Sequence, residues 1–155
     1  AWTMGSLAGA RWNNIAFPFF GSILGSSFFM FTARAYNLMS QGDETAISLG
    51  INVPVIKRLT ILVVAFITGV IVAAGGIIGF VGFVIPHIIR ILAGADHRRL
   101  FPLSFLIGSV FLLWMDILAR TLMAPREMSV GIFTAFFGGP FFVYLLYRQN
   151  KYGRI

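Results

Sequence analysis

Five acidic side chains (Asp43, Glu44, Asp96, Asp116 and Glu127) and two histidines (His87 and His97) are all the carboxylates and imidazoles that this 155-residue chain offers for acid–base chemistry or metal binding. The histidines stand ten residues apart with Asp96 as the one carboxylate close to them, a pattern that fits structural roles better than a metal site. The absence of cysteine excludes disulfides, thiolate metal sites and cysteine nucleophiles. Gly75, Gly76, Gly79 and Gly82 cluster as a phosphate-binding loop would, yet no lysine follows at Walker spacing. Asp116 and Arg120 are four residues apart, a spacing that pairs them on one helix face. No catalytic set, resident metal or cofactor is expected. If ATP drives this protein, a separate chain must bind it.

The elements that position these residues belong in a membrane. At 58% hydrophobic and 11% charged, with mean hydropathy +0.88, the chain has too little polar surface to enclose a water-soluble globule. The fold class expected is all-α, a polytopic transmembrane helical bundle. The formal charge of +7 does not point to nucleic acid, because the bases sit at the ends of apolar runs and form no stripe with interleaved aromatics.

The uncharged run from Leu59 to Ile89 spans 31 residues. As one helix it would reach ~46 Å, well beyond a hydrocarbon core of ~30 Å, so it must fold back. The pattern predicts two helices, near 59 to 75 and 77 to 93, joined by a tight turn at Gly75-Gly76. Pro86 should kink or end the second of them. Gly75 and Gly79 form a GxxxG, and with Gly82 they read as packing or hinge residues.

Before this pair, residues 1 to 14 carry two tryptophans and Arg11, a mixture suited to the membrane interface. Ile15 to about Thr32 is a span with its own GxxxG at Gly21 and Gly25. Residues 34 to 58 form the one long polar stretch, in which Gly42 or Asp43 caps a short helix through Leu49, Gly50 ends it, and Asn52 to Pro54 stop any continuation. Such a helix suits a docking surface and a plain solvated connection alike. After the pair come a basic patch from Arg90 to Arg99, a span from Leu103 to about Ile117 and a loop over 121 to 129. A last span runs from Val130 to Tyr147, broken by Gly138-Gly139-Pro140.

Five spans place nine bases (Arg34, Lys57, Arg58, Arg90, Arg98, Arg99, Arg148, Lys151 and Arg154) on one side and three (Arg11, Arg120 and Arg126) on the other. The positive-inside rule makes the first side cytoplasmic, with the chain's N-terminus outside and its C-terminus inside. Broken helices, glycine contacts and a surface helix belong together in transport proteins.

Residues 75 to 102, GGIIGFVGFVIPHIIRILAGADHRRLFP, resemble the most recognisable segment of the FecCD family, the iron-siderophore, heme and vitamin B12 permeases of ATP-binding-cassette importers. Trp2 to Leu7 with Gly9, Ala10 and Trp12, Ala46 with Leu49-Gly50-Ile51, Asp116 to Arg120, and Gly131 to Pro140 are similar to further family blocks. The resemblance covers residues 1–155 in family order, as one permease domain corresponding to spans six to ten of a ten-span permease. It implies the type II importer fold, a bacterial cytoplasmic (inner) membrane, and import of an iron-siderophore or a related chelate such as heme or cobalamin. The implied partners are cytoplasmic ATPases, an extracytoplasmic substrate-binding protein and a second permease subunit, homodimeric or heterodimeric.

By the same resemblance, the 34–58 segment is the coupling loop, with Asp43, Glu44, Ala46, Leu49, Gly50 and Ile51 facing the ATPase. Arg120 docks the binding protein, with Arg126 as its neighbour. Thr134, Phe137, Gly138 and Pro140 are candidates for the pathway lining, although the aromatics of this span serve equally as lipid-facing surface. Two other readings are an ion-coupled secondary transporter, for which only Asp116 offers an embedded ionisable group, and a half-length permease that does not transport by itself.

Overall fold

The computed structural model describes residue 5, residues 11–122 and residues 129–152. These residues form six helices and no strand: α1 (Trp12–Met39), α2 (Asp43–Ser48), α3 (Val53–Gly75), α4 (Val81–Ala93), α5 (His97–Thr121) and α6 (Val130–Tyr152). The all-α bundle expected from composition is what forms. Except for the short α2, each helix runs antiparallel to the one before it. One end of the bundle gathers α2 and the α4–α5 junction, and the other gathers Gly5, the segment after α3 and the start of α6.

Helices α1, α3 and α5 are long and apolar enough to cross a membrane by length and composition. At 1.5 Å per residue they reach ~42, ~35 and ~38 Å, so α1 and α5 have more than a turn, and α3 just under one, to spare beyond a ~30 Å core. The spare turns correct several boundaries. α1 runs through Met39, past the predicted end at Thr32, because Ala33 and Ala35 are buried and Tyr36 and Asn37 bond neighbouring helices. Asn52 and Pro54 start α3 where they were expected only to stop a helix. The Asn52 side chain accepts from the Val55 N–H at 3.3 Å, and Pro54 lies in the first turn, where its missing N–H costs nothing. α5 begins at His97, not Leu103, because the Asp96 carboxylate accepts from the Arg98 N–H at 3.0 Å and caps it.

The paired helices depart most from expectation. α3 ends at Gly75, and Gly76 has φ 74°, as the tight turn requires. The chain then leaves helical geometry and turns between Gly79 and Val81, so α4 does not begin until Val81, not at residue 77. Its 13 residues span only ~20 Å, so the non-helical stretch falls within the depth of a ~30 Å core. Non-helical backbone at that depth needs partners: the Ile77 carbonyl accepts from the Gly5 N–H at 3.0 Å, and the Gly5 carbonyl accepts from the Gly131 N–H at 3.3 Å and the Ser129 hydroxyl at 2.5 Å. Gly79 therefore lies outside any helix, and a Cβ at Gly79 or Gly82 would meet nothing within 4 Å among the described residues. Gly75 and Gly79 thus do not share a helix face as a GxxxG would. α4 passes through Pro86 without ending.

Close packing falls to other glycines. A Cβ at Gly25 would run into the Ile67 side chain, so α1 and α3 approach through the Gly21/Gly25 motif. α6 is unbroken through Gly138-Gly139-Pro140, contrary to the expected break. Gly138 instead admits Phe80, whose Cβ and ring occupy the space a side chain at 138 would need. Phe80 is the one described non-glycine residue with positive φ, 67°, a conformation that costs on the order of 1–2 kcal/mol and is held by this contact. Two small cores join the helices: Ile85, Ile89 and Leu100 between α4 and α5, and Met115, Ala119 and Val130 between α5 and α6.

Candidate functional site

The polar end of the bundle is built on α2. Gly42, with φ 123°, precedes it, and Asp43 and Glu44 occupy its first turn, where the helix dipole favours negative charge. Asp43 pairs with Lys57 of α3. Ala46 is fully buried, and its N–H bonds the Gly42 carbonyl at 3.1 Å. The helix closes in a Schellman motif: Gly50 donates to the Ile47 carbonyl at 2.9 Å and Ile51 donates to that of Ala46 at 3.0 Å, with Gly50 at φ 85°. This geometry turns Ile47 and Leu49 outward, 56% and 60% exposed, beside an open concavity lined by Ile47, Gly50, Ile51, Asn52, Val53 and Pro54. Six exposed bases, Arg34, Lys57, Arg58, Arg90, Arg98 and Arg99, stand at this same end. The 34–58 segment is thus mostly helical, and its irregular part is confined to residues 40–42 and 49–52.

A polar cluster that sequence reasoning did not assemble lies one turn before α2. The Asn37 side-chain carbonyl accepts from the His97 backbone N–H at 2.8 Å and lies 2.8 Å from His97 Nδ1, while its NH2 donates to Asp96 Oδ1 at 2.7 Å. The Asn37 amide, and then the Arg98 N–H, hold the Asp96 carboxyl below the usual carboxylate range. Tyr36 stacks on His97 with ring centres 5.7 Å apart, and its hydroxyl donates to Thr60 of α3. Asp96 is of a residue type that caps helices, but the basic residues that follow it hid the start of α5. Nothing local marks Asn37. His87 stacks on Phe83, and among the described residues no three His, Asp or Glu side chains gather into a metal site.

At the opposite end, Arg120 Nε bonds Asp116 Oδ2 at 2.9 Å, the expected pair. Asp116 is largely covered and fixes the half-exposed guanidinium at the end of α5. Arg126 lies outside the described residues. The four candidates on α6 separate. Thr134 and Gly138 are buried towards α4 and α5, around a cavity of about 180 Å³ that Phe80 and Phe137 also line. Pro140 is exposed and Phe137 half exposed.

Long apolar helices with one non-helical stretch between α3 and α4 and a capped surface helix define a polytopic, all-α membrane protein. The FecCD transport family model matches residues 1–148, and the chain belongs to that family. It is 44% identical to the hemin transport system permease protein HmuU of Yersinia pestis, over 97% of this chain and 45% of that protein. It is 41% identical to the cobalamin import system permease protein BtuC of Halobacterium salinarum, over 94% of this chain and 39% of the relative. A solved structure described as a metal-chelate type ABC transporter in an inward-facing conformation superposes with TM-score 0.88 at 35% identity, covering 95% of this chain and 47% of that one. The chain spans about half the length of the relatives it matches.

Proposed function

We propose that this chain contributes to a permease subunit of an ATP-binding-cassette importer that carries an iron-siderophore, or a related chelate such as heme or cobalamin, across the cytoplasmic membrane. Relatives named for hemin, cobalamin, iron(3+)-hydroxamate and Fe(3+) dicitrate support a chelate cargo. A separate ATPase supplies the energy and docks on α2. The observation that carries this reading is α2 itself: a six-residue helix, locked by a buried Ala46 and a Schellman end, that presents Ile47 and Leu49 to solvent beside the largest gathering of bases. That gathering marks the cytoplasmic side. An extracytoplasmic binding protein then meets Arg120 at the far end, and a second permease subunit completes the assembly.

Ala46→Pro tests it, since proline removes the N–H that bonds Gly42 and leaves every spanning helix intact. In cells supplied with hemin, cobalamin, ferric hydroxamate or ferric dicitrate, uptake should vanish while the protein still inserts in the membrane. Normal uptake would refute the reading.

A further inference from the structure

One ion pair and a set of hydrogen bonds, joined by single steps along α3 and α1, link the elements at the α2 end of the bundle. Asp43 of α2 pairs with Lys57 of α3, and Thr60 lies one turn along the same face of α3. Thr60 donates to the Ile56 carbonyl at 2.7 Å, so its oxygen accepts from the Tyr36 hydroxyl of α1. Asn37, the next residue, holds both Asp96 and His97 at the start of α5. Only Gly94 and Ala95 separate Asp96 from the end of α4, so whatever fixes Asp96 fixes α4 as well. Both polar atoms of the Asn37 side chain are engaged by these bonds, and Tyr36 is further clamped by the rings of Phe29, His97 and Phe101.

We infer that Asp43–Lys57, Thr60–Tyr36 and Asn37–Asp96–His97 form a relay that carries a displacement of α2 to the α4–α5 junction, with Asn37 as its central positioning residue. The inference rests on α2 being the ATPase-docking helix. A displaced α2 pulls Lys57 and the end of α1. Because both polar atoms of the Asn37 side chain bond the start of α5 at Asp96 and His97, α1 cannot shift without taking that start along. The reward is motion delivered to α4, whose other end is the non-helical stretch packed on α6 through Phe80 and Gly138.

An exchange of side chains separates a relay from a simple staple. Asn37→Asp keeps the acceptor for His97 but sets two carboxylates against each other. Adding Asp96→Asn returns a donor to the pair, with amide and carboxylate interchanged. In proteoliposomes holding the assembled complex, with hemin, cobalamin, ferric hydroxamate and ferric dicitrate as probes, uptake per ATP hydrolysed should fall about tenfold in Asn37→Asp. ATPase binding and hydrolysis should persist, and the double exchange should restore coupling. A staple would lower thermal stability and leave the uptake-to-hydrolysis ratio unchanged. That unchanged ratio, or a double exchange that restores nothing, overturns the relay while the permease reading stands. A wild type that binds no ATPase overturns both. Should Asn37→Asp fail to insert, Tyr36→Phe loses one hydroxyl and reads the same chain, with loss of coupling expected and a normal ratio overturning the relay.

Discussion

Replacing Ile47 and Leu49 together by alanine should weaken ATPase binding without disturbing α2. Their side chains are 56% and 60% exposed, so a docked partner has more than half of each left to cover. Full burial of such a side chain contributes ~1.5–3 kcal/mol, which leaves ~1–1.7 kcal/mol for each on docking. Most of that is lost in the double variant, ~2–3 kcal/mol, or ~30–160-fold in Kd. The helix should survive because its stability comes from elsewhere: Ala46 is fully buried and the Gly50 and Ile51 N–H groups close its end. The assay is a titration of the cognate ATPase onto the permease in nanodiscs, with binding read by fluorescence anisotropy. Affinity within about twofold of wild type, in a variant that still inserts, would refute the reasoning, because side chains this exposed cannot be buried by docking without effect.

Three further outcomes follow from local geometry. Gly138→Ala should destabilise the protein in detergent by ~1–3 kcal/mol, since the new Cβ meets Phe80, and Phe80→Gly should recover the loss by removing the Cβ and relieving the positive φ. Recovery absent from a melting curve would place the strain elsewhere. Arg120→Gln should leave the fold intact, because the half-exposed guanidinium contributes only about 1 kcal/mol and the amide can still donate to Asp116, yet should abolish capture of the extracytoplasmic binding protein in a pull-down. Asp96 gives a pH dependence: its folded pKa lies below the ordinary 3.8, so its contribution is present above that value and lost as pH falls through the folded pKa. Asp96→Asn should therefore lower the melting temperature throughout about pH 8 to 5, and the gap from wild type should close in stronger acid as the wild-type carboxyl protonates.

Much of the bundle was legible because the bilayer imposes it. A 31-residue apolar run had to fold back, and the bases had to cluster at the spans' ends. Gly42, Asp43 and Gly50 marked α2 because capping chemistry is local. Asp116 and Arg120 met for the same reason, four residues apart on one helix. What escaped was non-local. Glycine and proline signal permission to bend, and tertiary packing decides whether the permission is used: Gly138-Gly139-Pro140 stayed helical because Phe80 fills the gap, whereas the segment after Gly76 unwound because Gly5 offered a hydrogen bond. Asn37 carried no local sign at all, since its partners lie about sixty residues away.

The orientation of α2 underlies every step from docking to relay, and a chain with no cysteine allows it to be read directly. Gln41→Cys places a single thiol on the exposed loop leading into α2. A membrane-impermeant maleimide should label it in inside-out vesicles and leave it untouched in right-side-out ones. Labelling from the outside alone would put α2 on the wrong face of the membrane for an ATPase and contradict the function proposed here.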